Sequence, residues 1–132
     1  MKKRVVLFLA VLLLLASVCW PAAEAHATVM SVHGECGITA SGKSVTFSGT
    51  TSSAKNEDTI QVTITLWEQR DGQWYAISSA TKAKENAIFV AKSKTVTVSG
   101  GHYYKVTASH YVQTGSTSNS TTSSTSSIWI SN

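Results

Sequence analysis

Two tryptophans flank a short polar turn in the middle of the chain, and they are the residues best suited to binding chemistry. Trp67 and Trp74 stand on either side of Asp71-Gly72, a dipeptide that readily takes the positive φ angles of a tight hairpin turn. With a two-residue loop, Trp74 lies opposite Gln69, which is on the same strand face as Trp67. Leu66 points to the core, so this face points to solvent and the two indoles are diagonal neighbours on it. The flat apolar face of a pyranose ring suits an indole. We therefore predict a carbohydrate- or cell-wall-docking hairpin, with packing of Trp74 under a loop or at a sheet edge as the alternative.

Nitrogen, oxygen and sulfur donors lie close together in His33-Gly34-Glu35-Cys36. A metal site there would need a further ligand brought in by folding. His102 and His110 share one side of a strand but are about 26 Å apart, too far for one ion. We expect no metal and no cofactor, and we interpret the histidines as surface or edge residues. Three interpretations of Cys36 stay open: a buried apolar residue, an intermolecular bridge or a reactive thiol.

Hydrolytic catalysis has no recognisable motif in this sequence. There is no Gly-x-Ser-x-Gly elbow, no glycine-rich phosphate loop and no clustered Lys/Arg patch. Glu57 and Asp58 are interpreted as solvated charges in a polar turn, and Glu68 as a carboxylate near a strand end that reaches water. We therefore expect a protein that is not an enzyme, and keep a small extracellular hydrolase as an alternative function.

Alternating apolar and polar residues predict short strands that position these side chains. The clearest is Thr59 to Leu66, in which every second residue from Ile60 onward is apolar. Residues 80–87 are expected to form a strand with a loop rather than a helix, and residues 115–120 a loop. The predicted strands, about seven in number, lie near residues 35–40, 44–52, 59–69, 73–81, 87–98, 102–112 and 122–130.

Seven short antiparallel strands in about 100 residues predict an all-β, two-sheet sandwich of immunoglobulin or fibronectin type III kind. An eight-stranded barrel is the alternative. The stretch from Gly101 to Ala108 resembles the penultimate strand of fibronectin-type domains. In those domains a Tyr two residues before a core aliphatic residue anchors a corner. The matching residues are Tyr104 and Val106.

A wider pattern runs through the chain: a Lys-rich start, a Leu-rich alternating strand, a Gly-x-Trp hairpin and then Gly-x-x-Tyr-x-Val. Gly72-Gln73-Trp74 and residues 101–106 carry the last two parts. In this pattern the chain resembles a set of small, uncharacterised, secreted β-sandwich proteins of Gram-positive bacteria. The resemblance implies an extracellular protein, and no activity is assigned to that set.

Residues 1–27 have the three-part pattern of a cleaved secretory signal. Basic residues 2–4 precede an apolar run of about 14 residues, shorter than the roughly 20 that span a bilayer. Small residues then offer cleavage after Ala25 or Ala27. A membrane anchor and lipid attachment at Cys19 are the alternatives. We therefore expect one domain at residues 28–132 that is secreted and extracellular, with association with the cell surface also allowed.

Charge limits the classes of partner. The full chain carries a net charge of +4, but from Thr28 onward eight Lys/Arg face six Asp/Glu. This balance is too weak to predict nucleic-acid binding, and no membrane insertion is expected after signal cleavage. The predicted function is a secreted, non-catalytic binding or structural module that engages a glycan, a cell-envelope component or an extracellular protein. A secreted antagonist, such as a bacteriocin or toxin-like protein, is the first alternative.

Overall fold

A computed structural model describes residues 30–132, so the predicted signal at residues 1–27 lies outside the described residues. Strands make up 83% of this part of the chain, which contains no helix. Within residues 30–132 there is consequently no helical segment of the length and apolarity that crossing a bilayer requires. The predicted all-β, antiparallel class is confirmed.

Six antiparallel strands form a single sheet in the order β1-β2-β4-β5, with β3 paired to β2 and β6 paired to β4. The strands are β1 (His33–Ser41), β2 (Ser44–Arg70), β3 (Gln73–Thr97), β4 (His102–Thr114), β5 (Thr117–Ser124) and β6 (Ile128–Ile130).

β2 and β3 are long enough that each runs through both halves of the sheet. The first part of β2 pairs with β1 and with the end of β3, whereas its second part pairs with the start of β3 and with β4. Between Ser52 and Glu57 the register with β3 shifts. Such a bulge bends the strand that carries it. The sheet curls into a half-barrel, and this bulge lies between its two halves.

The core lies inside the curl because alternate residues of β2 and β4 point inward. Gly49 on the first half of β2 faces the second half so closely that a Cβ there would lie 2.6 Å from Ile64 Cγ2. β1 closes one side by packing over β4 and β5. The fully buried apolar side chains are Val45, Phe47, Ile60, Val62, Ile64, Leu66, Val90, Tyr104, Val106 and Val112.

The number of strands differs from the seven expected, because several predicted breaks lie inside continuous strands. The polar residues 55–58 form a bulge rather than a turn, so predicted strands 44–52 and 59–69 are both parts of β2. Predicted strands 73–81 and 87–98 are likewise joined in β3. The loop expected at 115–120 is wrong: Thr114 pairs directly with Thr117, and the predicted last strand is divided between β5 and β6.

One local prediction is confirmed. The Asp71-Gly72 turn has φ angles of 50° and 76°, the positive values of a tight two-residue hairpin, and Gln69 pairs with Trp74. At the start of β4, the hydroxyl of Tyr104 donates to the carbonyl oxygen of Ser99 at 2.6 Å.

Candidate functional site

Four aromatic side chains lie on the outer face of the sheet at the end where β2 meets β3. Directly paired residues share a face, and Trp67 is paired with Lys105 on β4. Tyr103 is two residues before Lys105 and is paired with Trp129 on β6. Trp74 is paired with Gln69, two residues after Trp67. We call this surface the aromatic face: Trp67, Trp74, Tyr103, Trp129 and Lys105.

The two predicted site residues are half-buried, and neither indole is enclosed. Trp67 donates a hydrogen bond from Nε1 to Thr107 Oγ1 at 2.8 Å, which fixes the direction of its ring across the sheet. Lys105 Nζ lies 4.4 Å from the ring centroid of Trp74, a cation–π contact. Both indoles therefore have defined positions on the outer surface, as the hairpin register predicts.

The other two members of the aromatic face are more exposed. Tyr103 and Trp129 retain 45% and 53% of their accessible surface. Their ring centroids are 4.9 Å apart and their planes meet at 62°, an edge-to-face pair. Each ring therefore supports the other while leaving part of its apolar surface in contact with solvent.

A shallow depression of about 440 Å³ adjoins the aromatic face on the same side of the sheet. Thr107, the hydrogen-bond partner of Trp67, belongs to its lining. Nearly all of its lining residues carry a hydroxyl group: Thr63, Thr65, Thr107, Ala108, Ser109, Thr122, Ser123 and Ser124. Thr63, Thr65, Thr107, Ser123 and Ser124 already form hydrogen bonds within the protein. A hydroxyl has one donor and two acceptor positions, so the outward-facing ones keep an acceptor position for a ligand that donates hydrogen bonds.

Tyr103 and Trp129 are not among the predicted site residues, although alternation could have found them. Tyr104 stands two residues before the core residue Val106 and shares its face, so the neighbouring Tyr103 points outward. Trp129 stands between Ile128 and Ile130, both of which pack against the core, so the indole faces solvent. The pairing of β6 with β4, which brings these two rings together, carries no local signal in the sequence.

A second cluster of polar residues lies inside the core around His110, which is fully buried. Its Nδ1 is 2.9 Å from Thr51 Oγ1, and its Nε2 is 2.7 Å from Ser123 Oγ. Thr51 donates its own hydrogen to the carbonyl oxygen of Gln61, so it accepts from Nδ1 and leaves Nε2 to accept from Ser123. Burial lowers the pKa of His110, and the nearby His33 lowers it further.

This pair has the serine and histidine of a hydrolytic triad, but Thr51 occupies the position where a triad has its carboxylate. The ring is also covered by β1, because the backbone of Gly34 lies directly on it. The geometry supports a packing role for His110. Its interpretation as a surface or edge residue is wrong: it shares the inward face with Tyr104 and Val106, since all three stand at even positions of β4.

The two carboxylates interpreted as solvated are buried. Glu57 and Glu68 are 1% and 4% exposed. Burial alone would raise their pKa values, but hydrogen bonds lower both on balance. Ser53 and Thr114 donate to Glu57. The donors to Glu68 are Arg70 and the hydroxyl of Tyr104.

The residues around Cys36 alternate between the two faces of β1. His33 and Glu35 are exposed and lie 3.4 Å apart, whereas Cys36 packs against the core with Sγ 3.8 Å from the carbonyl oxygen of Val106. Within residues 30–132, no three side chains among His, Cys, Asp and Glu are grouped closely enough to hold a metal ion. Folding therefore does not bring a further ligand to His33 and Cys36 in this part of the chain.

No protein-family model and no curated protein matches this chain. Two solved structures are similar in shape. The sporulation control protein Spo0M of Bacillus subtilis has 12% identity and a TM-score of 0.48, and the match covers 77% of this chain and 50% of that one. CsgH of R. palustris has 15% identity and a TM-score of 0.43, and the match covers 70% of this chain and 90% of that one. The chain spans half the length of Spo0M, and both scores are too low for a shared function to follow.

Proposed function

We propose that this protein is a secreted, non-catalytic binding module that docks on a glycan of the cell envelope through its aromatic face. The observation that carries the proposal is the grouping of Trp67, Trp74, Tyr103 and Trp129 on one outward face, beside a depression lined by hydroxyl groups. Support for secretion comes from the leader pattern of residues 1–27.

The chemistry of the face matches that of a sugar chain. A pyranose ring has an apolar face that stacks on an aromatic ring and an equatorial rim of hydroxyls. The partly exposed rings of Tyr103 and Trp129 supply stacking surface, and the threonine and serine side chains around Thr107 supply donors and acceptors. The face spans β3, β2, β4 and β6, strands about 4.8 Å apart, so it is wide enough to contact more than one sugar.

Lys105 gives the face a positive charge, because its ammonium group rests on the ring of Trp74. This contact covers part of the Trp74 ring. We expect a bound sugar to displace the ammonium group toward solvent, where it is free to pair with an acidic group of the glycan.

A glycan array and a pull-down on insoluble cell-wall material test the proposal with the purified full-length chain. Substitution of Trp129→Ala or Trp67→Ala is expected to weaken binding at least about tenfold, which corresponds to about 1.4 kcal/mol of contact free energy. Trp129→Ala is the cleaner variant, because its ring is half-exposed and contributes little to the core.

Phe89→Ala is the matched control. Phe89 is 47% exposed, close to the value for Trp129, but it lies on the other half of the sheet, where β3 pairs with the first part of β2. This variant should bind as the unmodified protein does. Equal binding by the protein and by both tryptophan variants would remove the aromatic face as the docking surface.

At the level of the fold, we propose that the two halves of the curled sheet correspond to the two layers of a fibronectin-type sandwich. The close approach of Gly49 to Ile64 across the core supports this, as does the contact of Tyr104 with Ser99. In this description β2 and β3 each contribute to both layers.

A further inference from the structure

Within residues 30–132, β3 is an edge strand along its whole length, because it pairs there with β2 alone. Four lysines project from it toward the inner side of the sheet. Each is paired with a residue that is itself buried: Lys84 with Ile60, Lys82 with Val62, Lys94 with Phe47 and Lys92 with Gly49. Lysines at these positions cover the rim of the core with their aliphatic stems and keep their ammonium groups in water.

The four lysines come from both halves of the sheet and lie along its open edge. Lys94, on the second half of β3, reaches across to the first half and places Nζ 3.5 Å from the carbonyl oxygen of Ser79. The open side of the curl is therefore lined by two rows of positive charge, one from Lys82 and Lys84 and the other from Lys92 and Lys94.

No carboxylate of residues 30–132 forms an ion pair with these lysines. The two ion pairs in this part of the chain join Glu35 to His33 and Glu68 to Arg70. Glu85 lies on β3 but on the opposite face, since it is paired with Thr59. The positive charge at the open side is thus left for a partner from outside this part of the chain.

Beyond Ser79, the same edge carries backbone groups that no other strand of residues 30–132 pairs with. The carbonyl of Ser79 accepts a hydrogen bond from Lys94 across the open side, so it points away from β2. In an antiparallel strand the N–H and C=O of one residue point the same way, and the direction alternates along the strand. The backbone groups of Thr81, Ala83 and Glu85 therefore also face the open edge, where another strand can pair with them.

We propose that the edge of β3 from Thr81 to Glu85 binds an extended acidic segment of a partner protein by strand addition. The segment carries carboxylates at every second position, on the side that faces the lysines. Such carboxylates are spaced about 6.7 Å apart along a strand, the same spacing as that between Lys82 and Lys84. Lys92 and Lys94 face the same row from the other half of the sheet. This site is separate from the aromatic face, and neither proposal depends on the other.

The lysines also explain why the edge selects its partner. A second copy of this chain that paired through the same edge would place its own lysines beside these, and like charges directly opposite each other destabilise a sheet. An apolar strand would bury the ammonium groups without a partner. Only an acidic strand satisfies both the backbone and the side chains, so the same residues exclude self-association and favour one class of ligand.

Two peptides of equal composition test the proposal: one of about ten residues in which Glu and Thr alternate, and one in which all Glu residues form a single block. The alternating peptide should bind the full chain at least about tenfold more tightly. Its binding should also slow the hydrogen exchange of the amides of Thr81, Ala83 and Glu85. The double variant Lys82→Ser/Lys84→Ser should lose this binding.

The control variant is Lys43→Ser/Lys55→Ser, which changes the net charge equally but leaves the β3 edge unaltered. It should bind the alternating peptide as the unmodified protein does. All four substituted lysines are exposed, so an unchanged thermal unfolding midpoint will establish that the variants are folded. Equal binding of the block peptide or of polyphosphate would show general attraction of polyanions and overturn strand addition. Unchanged exchange of the three amides would overturn it as well.

Discussion

Four titratable side chains lie buried inside the curled sheet: Glu57, Glu68, Tyr104 and His110. Each is held by hydrogen bonds, and within residues 30–132 every buried side-chain nitrogen or oxygen atom has a hydrogen-bond partner. A buried polar group without a partner costs about 1–3 kcal/mol, so these contacts determine whether the core tolerates its charges. The consequences of removing a single partner are best seen at Tyr104.

The hydroxyl of Tyr104 lies 2.8 Å from Glu68 Oε2 and 2.6 Å from the carbonyl oxygen of Ser99. Its single proton serves one acceptor at a time. Burial and the neighbouring carboxylate raise its pKa, so the phenol stays protonated and remains a donor. Tyr104→Phe removes this donor from a buried carboxylate, and we expect a loss of about 1–3 kcal/mol in the free energy of unfolding, measured by urea denaturation.

Tyr103→Phe is the control for this substitution, because the two tyrosines are adjacent and Tyr103 points to solvent. Its unfolding free energy should stay within about 0.5 kcal/mol of the unmodified protein. If Tyr104→Phe proves equally neutral, the corner contact does not stabilise the fold.

At the scale of the strand, local pattern predicted much of the structure. The turn at Asp71-Gly72 and the pairing of Gln69 with Trp74 follow from turn chemistry and alternation alone. An unbroken two-residue hairpin register would pair Leu66 with Ile77, but the register shifts between Leu66 and Trp67, and Leu66 pairs with Ser78. A bulge of this kind is set by the curvature of the whole sheet, which no short segment of sequence encodes.

The same limit explains the joined strands. A polar run such as residues 55–58 has the composition of a turn, and nothing local indicates that β3 continues to pair on its far side. Alternation, in contrast, is sufficient to place Tyr103 on the outer face and His110 on the inner face of β4, since Val106 points inward. The contacts among the members of the aromatic face depend on pairings distant in sequence and were beyond prediction.

The packing of β1 against β4 gives a prediction at the scale of the strand. A Cβ on Gly34 would lie 2.0 Å from Cγ of the His110 ring, which Thr51 and Ser123 hold in place. Gly34→Ala should therefore force β1 away from β4 and cost about 2–3 kcal/mol of unfolding free energy, measured by urea denaturation.

Gly37→Ala, on the same strand, is the matched control. There the added Cβ would approach only the hydroxyl of Ser48, at 3.3 Å, and that side chain can rotate away. Alanine is favoured over glycine within a strand, so this variant should be as stable as the unmodified protein or slightly more stable. Equal losses in the two variants would mean that the contact with His110 is not the cause.

For the molecule as a whole, the curled sheet separates two surfaces with different chemistry. The outer face carries the exposed aromatic rings and hydroxyl groups, whereas the open edge carries lysines that no carboxylate of residues 30–132 pairs with. The buried carboxylates Glu57 and Glu68 lie toward opposite ends of the second part of β2, one beside the end of β4 at Thr114 and the other beside Tyr104. Since the core holds these acids ionised and His110 neutral, the stability of the whole fold depends on pH.

The signs of these effects predict two stages of acid destabilisation. The pKa of His110 is lowered from 6.5 in the fold, so below that pH the unfolded chain binds a proton that the folded protein resists, and stability falls. The pKa values of Glu57 and Glu68 are lowered from 4.5, so their contribution is present above that pH and is lost as the pH falls through their folded values. Urea denaturation midpoints measured between pH 7 and pH 3 should therefore decline in two steps. The first step begins at about pH 6.5 and the second at about pH 4.5.

Two histidine variants separate the first step from other causes. His110→Gln should abolish the decline that begins near pH 6.5, because no group in its place gains a proton on unfolding. His33→Gln removes only the smaller cause of the lowered His110 pKa, so this variant should keep the decline with a reduced amplitude. A nuclear magnetic resonance titration of the unmodified protein gives an independent measurement: the His110 ring should remain neutral at pH values where a histidine in an unfolded chain is protonated. If the ring titrates at its ordinary pKa, the hydrogen bonds to Thr51 and Ser123 do not keep it enclosed, and β1 must open from β4 readily enough to admit water and a proton.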